Sequence, residues 1–212
     1  KIDPIADKVT VTATENSAAV TYDGTEHSVT GYKSITADNT LYDVEKNVAE
    51  KPTKAWTAKG TDAGEYPVGI VSGDFRNTSK NFTNVEFVIV DGTLKIDPVS
   101  DKVTVTITEN ADTVIYDTKE HSVKGYKSMT ADNALYDVKN NIAETSTEAW
   151  TAKGTDVGEY PVGIKADDFE NTSGNFTNVE FVIVDGELVI TRRGENPGSP
   201  VTLRADDNTV MF

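Results

Sequence analysis

Few side chains in this sequence have the types and spacing that chemistry requires. Its two histidines, His27 and His121, each stand between a glutamate and a serine. Residues adjacent on a strand project to opposite faces, so Ser28 is badly placed to pass its proton to His27 in a Ser-His nucleophilic pair. The strand-like surroundings point instead to a histidine paired across a sheet. No nucleophile elbow, phosphate loop, dinucleotide fingerprint or H-E-x-x-H string is present. Thirty-five carboxylates guarantee close pairs on the surface. Glycosidase chemistry asks for more: two carboxyls at a set separation across a cleft, one with a raised pKa. No residue is therefore assigned a catalytic, cofactor-binding or metal-binding role, and the chain is expected to be neither an enzyme nor a holder of a cofactor.

Three further chemistries are open to its polar residues. Asp38, Asn39 and Asp43, with Asp132, Asn133 and Asp137, offer hard oxygen ligands of the kind calcium takes, without the spacing of an EF-hand. A turn held by its own Asp and Asn side chains explains them equally well. The N-x-S/T strings at Asn77, Asn81, Asn171 and Asn175 would mark glycan-bearing loops in a eukaryotic secreted protein and plain polar turns in a bacterial one. Lys8 and Lys102 are candidates for condensation with an asparagine beside a carboxylate, although strand lysines are more usually solvent-facing charges that discourage edge pairing.

The elements that would position these groups come in duplicate. Residues 1–94 laid over 95–188 without a gap agree at 69 of 94 positions. That period exceeds the 20–50 residues of solenoid units and signals duplication of a whole domain. Within one unit, Val9, Val11 and Ala13 alternate with threonines, the period of a half-buried strand. Further strand signals lie around Val29 and Tyr32, on both sides of the Gly60–Gly64 turn with Trp56 and Tyr66 as core aromatics, and on both sides of Asp91-Gly92, a hairpin signal. Phe75 and Phe82 are expected to pin their loop to the core. The one helical candidate has Leu41, Val44 and Val48 at i, i+3 and i+7, with strand or loop equally open.

About seven short strands per unit predict an all-β protein of two tandem immunoglobulin-like β-sandwich domains, at 5–96 and 99–190. Residues 1–4 read as the end of a preceding repeat, and 191–212 as a linker and possible start of the next. The Asp97-Pro98 junction is expected to be stiff.

A formal charge of −15 opposes nucleic acid and anionic membrane as partners. Residues 1–94 carry 9 basic and 14 acidic groups and residues 95–188 carry 8 and 18, a difference of −5 against −10. Cysteine is absent, which removes disulfides and thiolate chemistry together. No apolar run approaches the length of a membrane span.

The strings TYDGTEHSVTGY, KGTDAGEYPVGI and NFTNVEFVIVDGTLKI resemble the MBG-type and related immunoglobulin-like tandem repeats of Gram-positive bacterial surface proteins. The matching parts are Tyr22-Asp23-Gly24, the Gly60–Gly64 turn with Tyr66, and Asp91-Gly92-Thr93-Leu94. Their second copies are Tyr116-Asp117, Gly154–Gly158 with Tyr160, and Asp185-Gly186-Glu187-Leu188, with departures at Thr118 and Val157. The resemblance implies a secreted or cell-wall-attached, non-catalytic adhesin in which the repeats form a stalk holding a distal domain away from the wall. The alternative is a module binding a host glycan, mucin or host protein by avidity across repeats, with exposed edge strands or the aromatic-bearing segments near Tyr32, Tyr42 and Phe75 the place to look. Expected partners are adjacent repeats of the same protein, the chain being otherwise monomeric.

Overall fold

The computed structural model describes residues 3–52, 54–146 and 149–194. The chain divides into two compact units: Lys1–Asp101 with Ser173–Asn178, and Lys102–Thr172 with Val179–Phe212. The reading of residues 201–212 as the opening of another repeat lies outside the described residues.

In the first repeat the strands are β1 (Val9–Glu15), β2 (Ala18–Thr21), β3 (His27–Thr30), β4 (Tyr32–Ala37), β5 (Val48–Glu50), β6 (Thr57–Gly60), β7 (Gly64–Pro67), β8 (Phe75–Asn77), β9 (Val85–Val90) and β10 (Thr93–Asp97). The second repeat supplies β11 (Val103–Glu109), β12 (Asp112–Ile115), β13 (His121–Lys124), β14 (Tyr126–Ala131), β15 (Ile142–Glu144), β16 (Thr151–Gly154), β17 (Gly158–Pro161), β18 (Phe169–Asn171), β19 (Val179–Val184) and β20 (Glu187–Thr191). The helical candidate reduces to one turn, α1 (Val44–Asn47), capped by the Asp43 carboxylate on the amides of Glu45 and Lys46.

The protein is all-β, but it is not a pair of immunoglobulin-like sandwiches. Among the described residues the strands form eight small, open, uncurled sheets, in the orders β4-β1-β9, β2-β10-β7, β3-β6 and β5-β8 and their four counterparts. An immunoglobulin-like domain packs two antiparallel sheets face to face. Here β1 runs parallel to β9 and antiparallel to β4, and β10 runs parallel to β2 and antiparallel to β7. The three-stranded sheets are thus mixed, and each repeat is cut into four pieces. Alternation of apolar residues reports that a strand exists and which face it buries; it carries no record of which strand lies beside it. The immunoglobulin-like assignment failed at that step, and the family resemblance falls with it.

The Asp91-Gly92 signal misleads in the same way. The strands on either side of it, β9 and β10, do not pair with each other but enter different sheets. Gly92 serves a close approach instead: a Cβ there would lie 2.2 Å from the carbonyl oxygen of Asn16.

The core follows the alternation closely. Val9, Val11 and Ala13 turn inward from β1 and are buried, as are Val103, Val105 and Ile107 from β11. In the first unit Ala58, Val68, Ile70, Phe75, Leu94 and Ile96 complete one cluster, and Tyr42 and Phe82 join Val9 and Val11 in another. Trp56 and Phe75 lie 5.5 Å apart between ring centroids, and Phe87 stacks on Phe75 at 5.7 Å.

Candidate functional site

The residues singled out for chemistry are occupied with structure. His27 Nε2 lies 3.0 Å from Asp23 Oδ1 and His121 Nε2 2.9 Å from Asp117 Oδ1, four residues back in the same turn. The histidines belong to paired strands, but their side-chain partners are local. Asp23 also accepts from the Thr25 hydroxyl and amide, and these bonds, with that of His27, hold its pKa at about 2.

The oxygens considered for calcium are turn caps. Asp38 accepts from the Thr10 amide and Asn39 from the Leu41 amide, while Asp43 caps α1 and pairs with Lys46 at 2.7 Å. Asp132, Asn133 and Asp137 repeat the pattern on Thr104, Leu135 and Lys139. Among the described residues no group of three or more His, Asp or Glu converges as a metal site would require. Lys8 is exposed and ion-paired with Glu86 at 2.5 Å, and Lys102 is paired with Glu180. Each lysine faces a carboxylate, not the asparagine that a crosslink needs.

Two buried carboxylates escaped the sequence reading. Glu15 ends the inward row of β1 at 2% exposure and accepts from the amides of Ile70 (2.5 Å) and Gly92 (2.6 Å). Glu109 does the same for Ile164 and Gly186 at 2.6 Å each. The signal was present as a period-2 row of Val, Val, Ala, Glu. Asp74, fully buried, accepts from the Trp56 indole at 2.9 Å and the Val71 amide at 3.1 Å. These groups join loops to strands, and Glu109 also borders a cleft of about 480 Å³ with Ala111, Pro161, Gly163, Asp185 and Glu187.

A groove opens between two unpaired strand edges. In the second repeat it measures about 400 Å³, between β14 and β15, and is lined by Tyr126, Met129, Val138, Ile142 and Glu144. Its counterpart at Tyr32, Val48 and Glu50 holds about 160 Å³. The Tyr32 hydroxyl donates to Glu50, which pushes its pKa up to about 12. Of the three aromatics expected to mark a binding face, Tyr42 and Phe75 are buried and only Tyr32 lines this groove.

One polar contact among the described residues is a loop seated in the first unit. Ser173–Asn178 belongs by sequence to the second repeat yet clusters with Lys1–Asp101. The loop is held by Val99, whose amide donates to Asn175 O at 2.9 Å and whose carbonyl accepts from Thr177 at 3.0 Å. A Ser173 hydroxyl at 3.2 Å accepts from the Asn175 amide and fixes the turn. So presented, Asn175 Oδ1 accepts from the Ala63 amide at 2.6 Å and Asn175 Nδ2 donates to Asp62 Oδ1 at 2.9 Å. Beside it Phe176 meets Tyr22 edge-to-face at 5.6 Å.

The receiving turn is stiff for a local reason. Tyr66 donates its hydroxyl to the Asp62 carbonyl at 2.8 Å and lays its ring across Gly60, where a Cβ would come within 2.3 Å. A glycine and an aromatic six residues apart thus hold Asp62 and Ala63 in place. Asn175 was noted in the sequence only as a glycosylation string; its pairing with residues more than a hundred positions away left no trace there.

Comparison with models of protein families, with curated proteins and with solved structures found no match. With neither the predicted architecture nor a matching family behind it, the assignment to stalk repeats of a cell-surface adhesin is withdrawn, and so is the alternative of a host-ligand module.

Proposed function

We propose that the chain is a non-catalytic protein, the working part being the asparagine-bearing loop Ser173–Asn178, which docks into a tyrosine-lined turn within the first compact unit. The observation that carries this reading is Asn175, which satisfies both ends of its amide on Ala63 and Asp62. One side chain matches a donor and an acceptor at once, which fixes orientation as well as contact. Two hydrogen bonds at about 0.5–1.5 kcal/mol each and a ring pair of similar worth give a contact of about 2–4 kcal/mol. That suffices to hold a loop already tethered by the chain.

The partners in this proposal are adjacent repeats of the same protein, and in dilute solution the chain is a monomer. An extracellular location belongs to the same proposal; a cysteine-free composition is compatible with it and does not decide it. Among the described residues no helix is long and apolar enough to cross a membrane.

Hydrogen exchange tests the docking directly. The Ala63 amide is expected to exchange slowly in the native chain and faster in the Asn175→Ala variant, with amides of β11 and β19 unchanged. Equal exchange at Ala63 in both chains would show that the loop does not dock in solution.

A further inference from the structure

The groove between β14 and β15 combines open strand edges with apolar side chains and a pair of lysines. We infer that it binds an extended peptide that adds to the edge of β14 and carries an acidic residue beside its apolar ones. The site lies wholly within the second unit and does not depend on the Asn175 loop.

Hydrogen-bond direction alternates along an antiparallel pair, so the bonds already made reveal which backbone groups point outward. The Asp132 amide donates to the Thr104 carbonyl at 3.1 Å. In the register of β14 on β11, this turns Ser128 and Thr130 toward β11, and Met129 and Ala131 toward the open edge. On the other strand Thr145 donates to Asp168 at 2.8 Å and Thr172 to Asn141 at 2.9 Å, which turns Ala143 toward β18 and both Ile142 and Glu144 away from it. Met129, Ile142 and Glu144 all line the groove. Among the described residues β14 and β15 are outer strands of their sheets. An edge with outward amides and carbonyls is a template for one more strand.

Side chains select the occupant. Met129, Val138 and Ile142 are half-buried and offer apolar surface, while Lys127 and Lys139 stand exposed at the rim. The one carboxylate in the lining, Glu144, accepts from the Tyr126 hydroxyl at 2.9 Å. Among the described residues neither rim lysine is ion-paired, whereas Lys102 and Lys153 are, with Glu180 and Glu120. Two such cations in a chain of net charge −15 mark the groove for a carboxylate. At physiological salt more distant acidic groups are screened over about 8 Å, so contact with the lysines decides. The first repeat supplies the contrast. Its groove of about 160 Å³ has Glu45 where Lys139 stands, and is expected to refuse an acidic strand.

A short peptide loses its own conformational freedom on binding, so the affinity is expected to be on the order of 0.1–1 mM.

NMR titration suits a contact of this strength. The probe is a synthetic heptapeptide of alternating valine and threonine with an aspartate at each end, added to the isotope-labelled chain at about 0.15 M salt. The amide signals of Met129 and Ala131 are expected to shift together, to saturate, and to exchange with solvent more slowly. Lysine in place of both terminal aspartates is expected to weaken binding roughly tenfold. The exposed substitution Lys139→Glu, which installs the first repeat's residue, is expected to do the same to the aspartate probe. A probe methylated on every valine and threonine nitrogen cannot donate along either edge and is expected not to bind. No shift at Met129 and Ala131 with millimolar probe, shifts that persist with the methylated probe, or equal binding of aspartate and lysine ends would overturn the proposal. The probe series uses the parent chain, so these results hold even if Lys139→Glu fails to fold. Ala63 exchange reads the other unit, so either proposal can fail without the other.

Discussion

Glu15 shows how much one side chain decides here. An inward glutamate at the end of β1 looks like an error in a hydrophobic row, yet it holds the Ile70 and Gly92 amides with charge-assisted bonds. Glu15→Gln keeps the size but turns an NH₂ group toward one of those donors. It is expected to cost about 1–3 kcal/mol in urea unfolding; a variant as stable as the parent would show that the carboxylate's charge does not matter. Thr118 lies at the opposite extreme. It holds φ +69° where the first repeat has Gly24 at φ +77°, a conformation that costs a β-branched residue about 1–2 kcal/mol. Thr118→Gly is therefore expected to raise the melting temperature of the second unit. Asp23 supplies a pH signature. Its folded pKa of about 2 lies below that of an unfolded aspartate, so its contribution is fully present above the usual carboxylate range and is lost as pH falls from about 4 through 2. A carboxyl-carbon NMR titration should show that midpoint, and Asp23→Asn should remove the corresponding slope in stability.

At the scale of elements, short strands are held by loops more than by their ladders. The edges of β4 and β5 stay unpaired, and the sheets are two or three strands wide. The register of β10 against β2 and β7 depends on the chain passing Asn16 at Gly92. Gly92→Ala is expected to destabilise the first unit by more than the ordinary propensity change, because the clash is with backbone and cannot be relieved by a rotamer. Gly60→Ala is expected to displace the Tyr66 ring and speed exchange at Ala63, which differential hydrogen exchange would register. Alternation made β1, β9 and β11 legible from sequence. The mixed pairing was not, since a parallel neighbour arrives by a long crossover with no local signature.

On the scale of the whole molecule, duplication is what turns a local contact into a property of the protein. An asparagine loop and a tyrosine turn are built by the same local bonds in both repeats. The charge of −15 makes copies of the chain repel one another at low ionic strength. Sedimentation in dilute solution is expected to show a monomer at low and at high ionic strength; a mass that grows with protein concentration would overturn that part of the proposal.

By itself the sequence determined that the chain is all-β, that it is built twice, which residues face inward along the longer strands, and which phenylalanines anchor the loop at Phe82 and Phe176. These follow from side-chain periodicity and self-similarity, both of which are written locally. Only the tertiary structure decided how the strands are partnered, that Glu15 and Glu109 are buried among backbone amides, and that Asn175 meets Ala63. The last two depend on segments 55 to 113 residues apart coming within 3 Å, and a hydrogen bond across such a span leaves no mark on the residues in between.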